Sequence, residues 1–249
     1  MYQIRRQKIK DYIYSKGIAT IKELQALCPE VTFMTLHRDL DTLQGAGYVV
    51  KIRGGARAAS QSLDPSFHIR MGENPVGKER IAKKAIKLVK PGSSVFFDAG
   101  TTNLALIRAL SDFGMTIFTS GANFAGELAR LSLPSVNVCC GALNRANMAR
   151  SGQSTLTYLA DVNIDVGFIG VSGYSDDSGF TCGKESEKLV KKLVIDSARA
   201  SVMLMDVSKL AKVMPFTFAG LEDVDYVICD ETPPLEFLME AERAGTTVL

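Results

Sequence analysis

Residues 32–56 of the 249-residue chain read TFMTLHRDLDTLQGAGYVVKIRGGA. Thr32 is a helix-start residue, and Phe33, Leu36, Leu40 and Leu43 follow at the spacing that gathers apolar side chains on one helical face. Gly45 and Gly47 end the element. With that face buried, Thr32, Met34, Thr35, His37 and Arg38 are left on the solvent side of the N-terminal half, the part of a recognition helix that meets base edges. Arg38 suits guanine or phosphate, and threonine hydroxyls suit phosphate oxygens. Tyr48, Val49, Val50, Lys51 and Ile52 then alternate like a strand, and Gly54 and Gly55 turn it into a hairpin carrying Lys51, Arg53 and Arg57. A basic hairpin beside such a helix is the wing of a winged helix.

Upstream, Ile4, Ile9, Tyr12 and Ile13 are expected on one side of a first helix that ends near Gly17. Thr20 and Glu23 have the spacing of a capping box, opening a short second helix with apolar positions at Leu24, Leu27 and Cys28. Three short helices with a tight turn between the second and third form the helix-turn-helix pattern. The competing reading is a small helical bundle in which Arg38 pairs with a carboxylate such as Asp41. The net charge of +2 conceals an asymmetry: residues 1–58 hold 10 Lys+Arg and 5 Asp+Glu, or +5, while residues 59–249 hold 19 and 22, or −3. A basic head on a mildly acidic body points to a polyanion partner for the head.

On these residues the head resembles the DNA-binding region of the DeoR family of bacterial transcription regulators. That region shows a Thr, a branched residue, two basic residues and Asp-Leu in its recognition helix, then a wing ending in Gly-Gly-Ala. Thr35 to Leu40 and Gly54 to Ala56 match, with His37 standing where an arginine is usual.

Composition narrows the chemistry of the remainder. At 46% hydrophobic residues the chain has the means for an ordinary core. Five cysteines without a Cys-x-x-Cys pair argue against a disulfide framework or zinc ribbon. No apolar run approaches the roughly 18 residues of a membrane span, and the N-terminus lacks a signal-peptide core, so a soluble cytoplasmic protein is expected. The only histidines are His37 and His68, so the chain beyond residue 68 holds no Ser-His-Asp triad or histidine-based zinc site. No catalytic residue, metal site or cofactor is expected.

Residues 58–75 are rich in Ser, Pro, Gly and Asp without periodicity and read as a linker between a winged helix-turn-helix domain over 1–57 and a larger domain over 76–249. In that larger domain a helix over 78–89 leads into strand candidates at 94–97, 116–119, 136–140, 166–171, 201–205, 226–229 and 246–248. Helical patterns at 103–110, 123–131, 185–198 and 235–244 alternate with them. This alternation predicts an α/β fold with a mostly parallel sheet and ligands at the carboxyl ends of its strands. Cys139, Cys140 and Cys229 fall in the strand runs and are expected to be buried.

The expected strand ends are rich in hydroxyls and glycines. Asp98, Gly100, Thr101 and Thr102 pass from strand to helix, where backbone amides and the helix dipole suit a phosphate. Thr119 and Ser120 end the second strand, and Ser172 and Gly173 the fourth. Lys209 follows the fifth, after Asp206. Glu187 and Lys191 stand one helical turn apart, which on residue types alone reads as a surface pair.

The DeoR resemblance continues through these motifs in order: Asp-x-Gly-Thr-Thr at 98–102, a Thr-Ser-Gly turn at 119–121, Gly-x-Ser-Gly at 170–173, Glu187 with Lys191, and Asp-x-Ser-Lys at 206–209. Ser120 replaces a usual Asn, and Cys140 precedes Gly141 where Gly-Gly is common. The resemblance implies a sensor domain folded like ribose-5-phosphate isomerase that binds a phosphorylated sugar. It makes Asp98, Gly100, Thr101, Thr102, Thr119, Ser120, Ser172, Gly173, Glu187, Lys191 and Lys209 the candidate effector residues. The expected activity is therefore regulation of a carbohydrate operon, as a repressor, by a homodimer or homotetramer on double-stranded operator DNA. The alternative is a sugar-phosphate isomerase with an added basic head, using Glu187 or Asp206 as base.

Overall fold

Caps and apolar spacing set the three helices of the head, α1 (Tyr2–Lys16), α2 (Ile21–Leu27) and α3 (Phe33–Gly45). The computed structural model describes residues 2–58 and 66–249. The capping box at the start of α2 forms: the Thr20 hydroxyl accepts the Glu23 N–H at 3.3 Å, and the Glu23 carboxylate accepts the Thr20 N–H at 2.7 Å. Thr32 caps α3 by accepting the Thr35 N–H at 3.4 Å. Ile9, Ile13, Leu24, Leu36, Leu40 and Leu43 meet in the core of the head.

Two expected core residues lie outside it. Ile4 is 76% exposed, because five residues to Ile9 turn a helix about 140° away from the Ile9 and Ile13 face. Phe33 has suitable spacing but is the first residue of α3, and at 51% exposure it projects past the core.

The wing pairs β2 (Val49–Ile52) with β3 (Gly55–Ala58), and β3 also pairs with β1 (Ile18–Thr20), a strand that the sequence did not suggest. A Cβ on Gly55 would lie 2.2 Å from the Ala19 carbonyl oxygen, so only glycine permits this close approach of β3 to β1. Within the segment read as a linker, residues 67–72 form α4 (Phe67–Gly72), and Asn74 caps α5 (Pro75–Ala85). Residues 59–65 lie outside the described residues. The chain divides into two compact units, residues 1–69 and 70–249.

The second unit is built on a seven-stranded parallel sheet comprising β4 (Ser94–Phe97), β5 (Thr116–Thr119), β6 (Ser135–Val138), β9 (Ile164–Gly170), β12 (Ala198–Met205), β14 (Tyr226–Cys229) and β15 (Thr247–Val248), in the order β15-β14-β12-β9-β4-β5-β6. All seven strand candidates lie in this sheet. Its register sets Phe97 opposite both Thr119 and Phe168, and Leu204 opposite Gly170, so the carboxyl ends of adjacent strands emerge along one edge. Phe96, Ile169, Met203 and Val227 lie in the core. Cys139 and Cys229 are buried, and burial pushes both thiols up to about 12. Cys140 is exposed instead, because β6 ends two residues before it.

Four helices accompany strands as the periodicity suggested: α6 (Thr101–Arg108), α7 (Phe124–Leu128), α9 (Glu185–Ser197) and α10 (Leu235–Ala244). Absent from the sequence reading are the hairpin of β7 (Ala142–Asn144) and β8 (Ala149–Ser151), the helix α8 (Gln153–Ala160), and an antiparallel sheet of β10 (Gly173–Ser175), β11 (Gly179–Cys182) and β13 (Phe216–Ala219) in the order β10-β11-β13. Among the described residues no helix is long and apolar enough to cross a membrane.

Candidate functional site

The head presents an exposed face formed by α3 and the wing. Met34, His37 and Arg38 are exposed on α3, and Thr32 and Thr35 stand at its first turn with their hydroxyls 3.2 Å apart. Arg38 makes no ion pair among the described residues. Asp41, the partner that a plain helical bundle would give it, bonds Lys51 Nζ from the wing instead, and the Lys51 N–H donates to Gln44 Oε1 at 2.6 Å. Lys51 therefore ties the wing to α3, while Arg53 stays exposed beside the hairpin turn. On the opposite side of α3, the buried Asp39 carboxylate accepts from Arg5 Nε at 2.6 Å and Arg6 Nε at 2.7 Å, fixing α1 against α3.

In the body, four sheet strands and α9 bring the candidates to one edge, and its charges are already paired. Asp98, just past β4, accepts from the Ser120 hydroxyl at 3.3 Å and the Gly170 N–H at 3.2 Å, and Lys191 Nζ completes its shell. Lys191 also donates to the Gly170 carbonyl at 2.7 Å. At 5% exposure Lys191 is no surface residue, so the i,i+4 surface reading fails: α9 packs beside β9 and turns this side chain inward. Burial is the largest influence and disfavours its charge, but Asp98, Cys182 and Glu187 together hold the ammonium above its ordinary value. Ser120 has a second bond, accepting the Ala99 N–H at 2.9 Å.

The next turn offers donors. Gly100 precedes α6 at φ 141°, a conformation that favours glycine, and no side chain caps the helix, so its first amides remain available to an anion. Thr101 is buried and Thr102 half-buried at this start. Thr119 is placed differently. It is fully buried, and its hydroxyl is used by the Phe97 carbonyl at 2.7 Å and the Gly121 N–H at 3.0 Å. Ser172 is half-buried between β9 and β10, Gly173 opens β10, and Glu187 is half-buried in the first turn of α9.

Beyond β12 lies a second polar group. Asp206 accepts the Ser208 N–H at 3.2 Å and the Ser208 hydroxyl, with Lys209 Nζ at 3.9 Å. Asp230, at the end of neighbouring β14, accepts from the Val207 N–H at 2.9 Å and from Asn74 Nδ2 at 2.8 Å. Here the structure adds a residue that the sequence reading missed. Lys78 is buried on α5, and its ammonium donates to the carbonyls of Arg70 and Glu73. Burial pushes it down to about 8; Glu73 opposes this, and the positive charge of Lys209 adds to it. Asn103 is likewise new: fully buried on α6, it donates to the Phe168 carbonyl at 3.2 Å while its Oδ1 has no hydrogen-bond partner among the described residues. Neither residue belongs to a motif that residue type or spacing could flag. Among the described residues no cluster of His, Cys, Asp or Glu has the arrangement of a metal site.

A winged helix-turn-helix with an exposed basic face, joined in one chain to an α/β unit with an anion-suited edge, defines a DNA-binding transcriptional regulator with a sensor domain. The DeoR-like helix-turn-helix domain family matches residues 5–62, and the DeoR C terminal sensor domain family matches residues 73–231. The chain belongs to the DeoR family of transcriptional regulators. It is 32% identical over 232 residues to the uncharacterized HTH-type transcriptional regulator YgbI of Escherichia coli, covering 92% of this chain and 90% of that protein. It is 27% identical over 235 residues to the glycerol-3-phosphate regulon repressor of the same species, covering 94% and 93%. Relatives matched over nearly their whole length are thus named as regulators, which sets aside the isomerase alternative. A ribose 5-phosphate isomerase A from Methanocaldococcus jannaschii has a similar fold over 57% of this chain and 56% of its own, at 20% identity and a TM-score of 0.41, too distant to speak to activity.

Proposed function

We propose that the chain represses a carbohydrate-metabolism operon in the cytoplasm and that a phosphorylated sugar in residues 76–249 changes the affinity of residues 1–57 for operator DNA. The observation that carries this reading is the uncapped α6 N-terminus on the same sheet edge as the buried Asp98–Lys191 pair and Lys209. A phosphate fits the amides of Gly100, Thr101 and Thr102, with Lys209 as counter-charge. Asp98, oriented by Ser120 and Lys191, accepts from a sugar hydroxyl; Glu187, Ser172 and Gly173 line the remainder. Lys78 joins the same charge field, and an anion nearby raises its proton affinity. The name of the Escherichia coli relative, a glycerol-3-phosphate regulon repressor, supports a small phosphorylated polyol or sugar as the ligand class.

On the DNA, Arg38, His37, Met34, Thr32 and Thr35 read the major groove, and Lys51 and Arg53 of the wing meet phosphates. One such module reads a short half-site, so a homodimer or homotetramer binds repeated half-sites. The effector acts only through its different affinities for the strong- and weak-binding states.

The test is a titration of promoter DNA at two salt concentrations, with and without a panel of glycerol 3-phosphate, fructose 1-phosphate and glucose 6-phosphate. Phosphate contacts predict a steep salt dependence, with log–log slope about −0.9 per contact. An active ligand at 100 times its Kd stabilises the protein by about 2.7 kcal/mol in a thermal shift. Salt-independent binding, or no shift from any phosphorylated sugar or polyol, contradicts the proposal.

A further inference from the structure

The carboxyl end of β5 carries a cation that no sequence motif marked. The β7–β8 hairpin lies against this end: the Arg150 N–H donates to the Ser120 carbonyl at 2.7 Å and the Ala122 N–H to the Met148 carbonyl at 2.9 Å, on either side of an antiparallel bridge between Gly121 and Ala149. That register sets Arg150 directly opposite Ser120, and opposite residues of an antiparallel pair carry their side chains on the same side. On that side the Ser120 hydroxyl bonds the Asp98 carboxylate. β8 also packs against α9, the helix that brings Lys191 to Asp98.

Arg150 is half-buried, and its Nε is enclosed without a hydrogen-bond partner. Its guanidinium enters no ion pair among the described residues. Asp98 does not neutralise it, because Lys191 already holds that carboxylate. The Cys139 thiol, raised chiefly by burial, feels the charge of Arg150 as an opposing influence, which places the guanidinium near the sheet end. An enclosed guanidinium N–H is rarely left unbonded, and the groups that suit its planar fork are carboxylate and phosphate. Strand order puts a second cation across the same edge: Lys209 follows β12 and Arg150 stands at β5, with β9 and β4 between them. Three strand spacings separate the two by about 14 Å at the backbone. Their long side chains narrow that gap to the span of a small sugar with an anion at each end.

We propose that Arg150 binds a second anionic group of the effector, at the end remote from the phosphate held by Lys209 and the α6 amides; this rests on the phosphate reading of the strand-end site. The effector class is then a doubly anionic sugar, a bisphosphate or a phosphorylated sugar acid. Asp98 takes a hydroxyl between the two anions.

Isothermal titration of the full chain at fixed ionic strength, with fructose 1,6-bisphosphate, 6-phosphogluconate and glucose 6-phosphate, tests it. The wild-type chain is expected to bind a doubly anionic ligand at least tenfold more tightly than glucose 6-phosphate, and the better of the two shows whether the second group is phosphoryl or carboxylate. Arg150→Gln should abolish that advantage and leave the affinity for glucose 6-phosphate within twofold. The backbone bond of residue 150 to Ser120 survives the substitution, and thermal melts confirm that the variant folds. Arg145→Gln removes the same charge from an exposed position on the same hairpin and should keep the advantage. An undiminished advantage in Arg150→Gln, or its loss in Arg145→Gln, overturns the assignment. Glucose 6-phosphate bound as tightly as the doubly anionic ligands removes the role of Arg150 and leaves the phosphate site standing, whereas no binding of any of the three removes both.

Discussion

The head and the body hold their functional charges in opposite ways. On the head, Arg38 and His37 stand in solvent, and Asp41, a carboxylate on the same helix, is held by Lys51. In the body, Asp98 and Lys191 are buried against each other and bonded to backbone and hydroxyl groups on two further strand ends, those of β5 and β9. An exposed cation is inexpensive to carry and ready to meet a phosphate, and it suits a partner defined by dense surface charge. A buried pair carries a desolvation penalty, and under the proposed function its geometry serves as a fixed frame for a small ligand. A mutation should therefore cost binding without stability on the head, and stability together with binding in the body.

The largest expected effect is in the body. Lys191→Met strands the Asp98 carboxylate and should lower the unfolding free energy by about 3–5 kcal/mol, whereas Asp98→Asn/Lys191→Met should recover part of that loss. Urea unfolding checks both; near-wild-type stability of Lys191→Met would place the pair in solvent. A pH dependence follows from Lys78. In the folded chain it releases its proton at about 8, against 10.5 for an ordinary lysine. Between those values the unfolded chain holds more protons, so the contribution of this group to stability rises with pH across that window, by at most about 3 kcal/mol. Comparing urea midpoints at pH 7.5 and 9.5 for wild type and Lys78→Met isolates it, and equal slopes would remove Lys78 as the source.

On the head, Arg38→Ala should weaken DNA binding by about 1–3 kcal/mol with an unchanged melting temperature. A fall in melting temperature comparable to the loss of affinity would erase the contrast between the two regions. The smallest effect is expected for Thr20→Ala, which removes the capping box and should cost about 1 kcal/mol of head stability. Circular dichroism melts register it.

The legibility of the two regions differs for the same reason. Short-range signals are written in adjacent residues: the Thr20 and Glu23 box, the apolar stripe of α3 and the Gly54–Gly55 turn all appear where their spacing places them, and the parallel strands stand out as apolar runs. The failures are matters of tertiary environment. Glu187 and Lys191 look like a solvent pair until α9 is laid against β9, and Lys78 looks like a helix-surface lysine until it meets the carbonyls of Arg70 and Glu73. The β10–β11–β13 sheet escaped notice because its strands are three or four residues long, and β13 begins 34 residues beyond the end of β11. Ile4 and Phe33 show the converse, apolar residues in an apparently apolar pattern that the fold leaves exposed.

Communication between the two kinds of charge is the central claim, and Lys209 tests it most directly. Affinity for a promoter fragment is measured with and without the phosphorylated ligand that stabilises the wild-type chain, in wild type and in Lys209→Ala. The account predicts equal DNA affinity without ligand and a ligand-induced change that is present in wild type and lost in the variant. A full ligand response in Lys209→Ala, or impaired DNA binding without ligand, would contradict it.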